Sequence, residues 1–292
     1  MKKYCVQWII AIALIAQSNC FAGASFQQDV RVLPLPNSIG VILRVRNITK
    51  DSIIVADTLM GSNVFRCIDL SNSQRRLEHL SLAAAPNHAT YNIMPDSQVH
   101  FGIEVDEIFQ PFLVSGIYTL LSWRFYDVES SYFCVGIEDE MGNINPPIPK
   151  ADSDSAEIYL GLIHRIENEP DMCFLFLNGS NETVTVAKPL TEASRIVATS
   201  PAIDYTRELF LADQEPEIIE IESGEVGEWR IPWPTIRGLI SEADLAAIKE
   251  AGGDLDLVWK VGDFQSEPLP ISVAELRSVR KLIQQRRVDT QK

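Results

Sequence analysis

VILRVRNITKDSIIV (Val41 to Val55) and CFLFLNGSNETVTV (Cys173 to Val186) decide the fold. Each is an apolar run rich in Val, Ile, Leu and Phe, cut by a polar asparagine turn and followed by a short β-branched run, which is the pattern of two strands joined by a turn. Each also opens a half of the chain that closes on one signal: GIYTLLSWRF (Gly116 to Phe125) and GGDLDLVWKV (Gly252 to Val261) both place a glycine seven residues before a tryptophan. The tryptophans are 136 positions apart (259 − 123), and Asn47 and Asn181, taken as matched turn residues, are 134 apart (181 − 47). Offsets this similar mark one unit used twice. A repeated all-β unit is a scaffold, so function has to be argued from a site.

Further strands read from alternation in NVFRCIDL (Asn63 to Leu70) and QVHFGIEV (Gln98 to Val105), each bounded by Asn, Asp, Ser, Pro or Gly. The expected fold is all-β: two tandem antiparallel β-sandwich domains over residues 25–149 and 157–272, with an acidic linker at 150–156. Pro146, Pro147 and Pro149 stiffen the approach to that linker, where few contacts are expected. The second half is longer before its closing strand, and the extra length holds SEADLAAIKEAGG (Ser241 to Gly253). Ser241 as N-cap, Asp244 in the first turn and glycine as a stop predict a short inserted helix. Residues 273–292 form a basic tail, helical or disordered, with Val273, Leu276, Val279 and Ile283 on one helical face.

Lys2 and Lys3, an apolar run from Val6 to Ala16 and the small residues Ala22-Gly23-Ala24 have the order of a secretory signal peptide over residues 1–24, and the run is short for a membrane span. A periplasmic or secreted protein is expected, with no stable membrane insertion after cleavage. Three cysteines then remain, Cys67, Cys134 and Cys173, and an oxidising compartment permits one disulfide, for which Cys67 and Cys134 in the first half are the preferred pair. The formal charge is −15; residues 151–272 hold 24 acidic against 8 basic side chains, whereas residues 273–292 hold 2 against 6. An acidic body disfavours nucleic acid as a partner.

There is no GxSxG, Gly-rich phosphate loop, HExxH, CxxC or EF-hand pattern. His79, His88, His100 and His164 form no recognised ligand spacing, and EDEMGNIN (Glu138 to Asn145) reads as a solvated acidic stretch. No catalytic residue, metal or cofactor is therefore expected. GEVGEWRIPWPTIRG (Gly224 to Gly238) sets Trp229 and Trp233 four apart among prolines that prevent a regular central strand. An exposed ring there marks an interaction patch, which makes Trp229 and Trp233 the candidate binding residues against the alternative of core burial.

The polar turn after the first strand and the closing Gly116-Ile117-Tyr118 strand resemble immunoglobulin-like domains, and the first half is similar to bacterial proteinase-inhibitor sandwiches with an N-x-T turn such as Asn47-Ile48-Thr49. The resemblance covers layout, since the Cys, Trp, Cys spacing of true immunoglobulin domains is missing. The expected function is that of an exported, non-enzymatic binding or assembly protein that recognises a protein or surface polymer. The alternatives are a secreted protease inhibitor acting through an exposed inter-strand loop, and a hydrolase whose Ser, His and Asp meet only in space.

Overall fold

The computed structural model describes residues 26–36, 38–56, 63–71, 76–80, 90–105, 116–125, 128–149, 155–165, 168–211 and 216–273. The signal segment, most of the acidic linker and the basic tail beyond Val273 lie outside them. The described residues are mostly strand, 56% against 8% helix, so the protein is all-β.

The first half contributes β1 (Phe26–Leu35), β2 (Ser38–Asn47), β3 (Ile53–Ala56), β4 (Asn63–Asp69), β5 (Arg76–Leu80), β6 (Thr90–Ile93), β7 (Gln98–Glu104), β8 (Ile117–Phe125), β9 (Val128–Glu129) and β10 (Phe133–Ile137). The second contributes β11 (Ala156–His164), β12 (Asp171–Asn178), β13 (Val184–Ala187), β14 (Ser194–Ser200), β15 (Tyr205–Leu209), β16 (Ile218–Ile221), β17 (Val226–Pro232), β18 (Asp254–Val261), β19 (Phe264–Gln265) and β20 (Leu269–Ser272). Between β17 and β18 lie α1 (Trp233–Gly238) and α2 (Glu242–Glu250). Ser241 caps α2 by accepting the Asp244 amide at 3.1 Å, and Leu245 and Ile248 turn its buried side to the core.

The two halves pair alike, strand for strand. β1 with β2, β2 with β7, β3 with β6, β4 with β5 and β8, and β8 with β9 and β10 recur as the pairs formed by β11 to β20. They are not two separate sandwiches, however. Parallel pairing of β10 with β11, and of β1 with β20, joins the halves into two shared sheets: β15-β14-β18-β20-β1-β2-β7, here sheet I, and β17-β12-β11-β10-β8-β4-β5, sheet II. One apolar core runs between the sheets through both halves, from Val32 and Leu43 to Leu162, Phe174 and Leu257.

Burial along the strands separates the two outer faces. β14 alternates buried and half-buried residues, as a strand with one open face does, whereas every residue of β10 and β12 is buried, as in strands covered on both sides. Part of the cover over sheet II, at its β8 and β10 strands, is the segment after β10, where Ile144 and Pro147 are buried and the Ile148 amide donates to the Leu70 carbonyl at 3.1 Å. The Pro146–Pro149 stretch, expected to be a connection with few contacts, is thus a strap laid on the sheet. Proline suits it because an extended strap has no ladder in which the missing donors are needed.

Matched positions show what the repeat requires. Trp123 and Trp259 are both fully buried, against Phe65 at 4.4 Å and Phe174 at 5.3 Å between ring centroids. Their amides donate to Ser130 Oγ at 2.9 Å and Ser266 Oγ at 3.0 Å, and each serine amide donates back to the tryptophan carbonyl. Gly116 and Gly252 have φ of +81° and +117°, the left-handed region that excludes most side chains, which explains the glycine ahead of each closing strand. The turn asparagines are Asn47 and Asn178, 131 apart (178 − 47), instead of Asn47 and Asn181. The Asn47 amide donates to the carbonyls of Asp51 and Ile93, and that of Asn178 to those of Glu182 and Ile221. Both are fully buried at the end of their strands.

Candidate functional site

Because the fold repeats, a position whose chemistry differs between the halves is not dictated by the scaffold. The greatest difference falls at the two seams, on the outer faces of the sheets. Matching Trp123 to Trp259 and Asn47 to Asn178 places Arg31 on Gly161, Ile42 on Cys173, Arg44 on Leu175, Asp254 on Tyr118 and Pro270 on Cys134.

On sheet I the seam is ionic. Arg31, buried on β1, donates through Nε to Asp29 Oδ2 at 2.8 Å and through Nη1 to Asp256 Oδ1 at 2.5 Å. Arg44 on β2 forms a two-pronged pair with Asp254 on β18 and lies 3.7 Å from Asp29. Burial lowers the pKa of Arg31, but the hydrogen bond and charge of Asp29, with Asp254 and Asp256, outweigh it and raise the value, so the guanidinium stays charged. This network ties the halves together, and each charge in it is met by another. His100 sits exposed on β7 opposite Arg44.

On sheet II the seam is apolar and holds thiols and phenols. A row across five strands reads Leu120, Cys134, Gly161, Cys173, Arg230. A Cβ on Gly161 would lie 2.7 Å from Cys134 Cβ and closer still to the Cys134 carbonyl oxygen, so only glycine allows this approach of β10 to β11. Tyr118, fully buried, passes over Gly136, and its hydroxyl donates to Glu228 Oε1 on β17 at 2.6 Å. Glu228 is held by Arg230 Nε at 2.6 Å, and Arg230 and Arg165 both pair with Glu138. Tyr159 donates to Glu157 at 2.5 Å. Burial drives the ionisation of Cys173, Tyr118 and Tyr159 upward; a hydrogen bond from Cys134 adds to the effect on Cys173, and the acceptors Glu228 and Glu157 add to it on the phenols.

The sequence-predicted residues fall elsewhere. Trp233 starts α1 and is buried, and Trp229 is half-buried with its ring 6.0 Å from Trp259, so both belong to the core and neither forms a surface patch. Trp229 stands opposite Phe174 on β17 and packs against the core, and Trp233 lies beyond the strand as the first residue of α1. The Cys67 to Cys134 disulfide is corrected too. All three cysteines are free and buried; Cys67 stands opposite Leu121 and Cys134 opposite Leu120, and successive residues of β8 point to opposite faces, so the two thiols lie on opposite sides of sheet II. Burial lifts the Cys67 thiol to about 12. His79 lies on β5 opposite Phe65, while His88 is outside the described residues. In the acidic stretch, Glu138 is spent on Arg165 and Arg230, and Asp139 accepts the amides of Met141 and Asn143, which with the other contacts of its turn holds its carboxyl below the usual range.

No family model matches the chain, and no curated relative is similar to it. Among solved structures 33 chains match; one is a transglutaminase from red sea bream, 8% identical, covering 86% of this chain and 32% of that one with a TM-score of 0.23. The chain therefore spans about a third of that enzyme's length. The expectation that the chain is not an enzyme does not stand, and the exclusion of catalysis is withdrawn. A likeness this distant assigns no activity in its place.

Proposed function

We propose that the chain is an exported binding or assembly protein, built from a duplicated immunoglobulin-like unit whose two copies are fused side by side, and that it recognises another protein through the β10–β11 segment. The unit would be β1-β2-β7 facing β5-β4-β8-β10, repeated as β11-β12-β17 facing β15-β14-β18-β20. One observation carries the reading: Met141 and Ile148 are 83% and 64% exposed on a segment that is otherwise tied down. Asp139 Oδ1 accepts the amides of Met141 and Asn143 at 2.9 and 2.8 Å, and the Asn145 amide donates to the Gly116 carbonyl at 2.7 Å. Apolar side chains on a rigid support lose little entropy on contact, which favours a protein partner over a hydrated polymer. Exported-fraction proteins captured by the wild type and by a Met141→Asp, Ile148→Asp variant are compared by mass spectrometry. A partner lost only in the variant supports the proposal, and identical capture by both contradicts it.

The braced turn from Asp139 to Asn143 favours a second reading, protease inhibition with Met141 offered to an apolar specificity pocket. Inhibition of serine proteases with such pockets, lost in Met141→Asp, is its test. No inhibition of any of them removes it.

A further inference from the structure

Sheet I has a covered patch at one end. The first six residues of β2, Ser38 to Leu43, are all buried, whereas the last four alternate. A strand reads this way where both of its faces are covered at one end only. The same end of β1 is covered, since Leu33 and Leu35 are 2% and 4% exposed, and Ile42 on β2 is 4% exposed. All three stand on the face of Arg31 and Arg44, away from the core, and form a cluster joined to neither of the two larger ones. Apolar side chains on the outer face of a sheet leave water only under a further layer.

We propose that residues 274–292 supply that layer: the basic tail folds back as an amphipathic helix on the outer face of sheet I, seating Leu276, Val279 and Ile283 on Leu33, Leu35 and Ile42. The register shows where the tail begins. β20 runs parallel to β1 with Ile271 beside Val32, so two residues on, Val273 stands at the level of Pro34, between Leu33 and Leu35. Val273 is buried in the core and its amide donates to the Gly253 carbonyl at 2.6 Å, which fixes this exit. Only Ala274 and Glu275 separate it from Leu276, a reach of about 10 Å, while β1 is the adjacent strand at about 4.8 Å. The stripe from Leu276 to Ile283 is about 10 Å long as a helix, and the patch measures about 7 Å along β1 and about 5 Å across to β2. So short a tether holds the tail at a high effective concentration, and a modest contact is enough to seat it.

The repeat gives the segment the same place as the strap. β20 matches β10 through Pro270 and Cys134, and the chain after β10 is the strap on the outer face of sheet II. Ile144 of the strap shares a cluster with Ile163 and Cys173, the matches of Leu33 and Ile42. Charge agrees. The ionic seam beside the patch sets three carboxylates, Asp29, Asp254 and Asp256, against the guanidiniums of Arg31 and Arg44, and Glu104 on β7 lies opposite Gly40. The tail brings 6 basic side chains against 2 acidic ones, whereas the acidic body of a second copy would meet repulsion there.

A photoreactive diazirine residue is placed in the folded full chain at Ile283 or, separately, at Gln285, which lies half a turn round the helix from Leu276. Cross-links are mapped by mass spectrometry. From Ile283 they are expected within one chain on residues 33–42, several-fold above those from Gln285. Carbene footprinting of residues 33–42 is expected to rise several-fold in Leu276→Asp, Ile283→Asp while near-ultraviolet circular dichroism stays native. Cross-links from Ile283 that fall elsewhere in the chain, fall on a second chain or do not form overturn the proposal. Equal cross-linking from Gln285, or an unchanged footprint in the double variant, overturns it too.

Discussion

Gly161 lies against Cys134 across the parallel seam so closely that a Cβ would fall 2.7 Å from the cysteine's own. The approach is what lets β10 and β11 pair over Cys134–Ile137 and Gly161–His164 and carry sheet II from one half into the other. Gly161→Ala is expected to destabilise the protein by about 2 kcal/mol or more through overpacking. Gly238→Ala, where nothing lies within 4 Å, is the control and should stay within about 0.5 kcal/mol. Urea unfolding of the two variants measures both.

Asn47→Ala and Asn178→Ala should each cost about 2 kcal/mol, because each buried amide serves two or more carbonyls that would be left without a partner. Asn181→Ala, at an exposed turn position, should leave stability within about 0.5 kcal/mol of wild type. Equal losses at Asn178 and Asn181 would undo the match between the two turns.

Arg31→Met removes a cation shared by Asp29 and Asp256. A loss of about 1–2 kcal/mol is expected, since the hydrogen bonds of a buried guanidinium are lost while the two carboxylates, 39% and 30% exposed, stay partly hydrated. Adding Asp256→Asn should recover part of it, and a double-mutant cycle with no coupling would show that the pair is idle.

Glu129 accepts from Ser122 Oγ at 2.7 Å and Tyr132 at 3.0 Å and pairs with Arg66. Burial alone would raise its pKa, but these partners together lower it. A carboxylate with a depressed folded value adds stability above its ordinary pKa of about 4.5, and that stability is lost as pH falls through the folded value. Wild type should therefore exceed Glu129→Gln in stability at pH 7, with the gap closing below about pH 4.5. A gap that is constant from pH 7 to pH 3 would contradict it.

Much of this architecture is legible in the chain. Gly116 and Trp123 recur as Gly252 and Trp259 because a left-handed entry and a buried indole are local needs of one closing strand. Ser241 and Asp244 announced α2 for the same reason, since capping is settled within a turn. The seams were hidden because parallel pairing of β10 with β11 joins residues whose own segments carry no sign of the partner. FCVGI and GLIH look like any buried strands. The prolines after β10 resemble a linker, and only the sheet beneath them makes them a strap. The thiol row was missed for a related reason: parity along β8 sends Cys67 and Cys134 to opposite faces, and that parity is visible only once the ladder is known.

The account rests on the halves forming one body through both seams. Hydrogen exchange followed by mass spectrometry over a urea series compares peptides of β8, in the first half, with those of β18, in the second. Shared sheets predict that both lose protection at one urea concentration, and that Gly161→Ala lowers it for both alike. Two separate transitions, with only one shifted by Gly161→Ala, would contradict a fused fold.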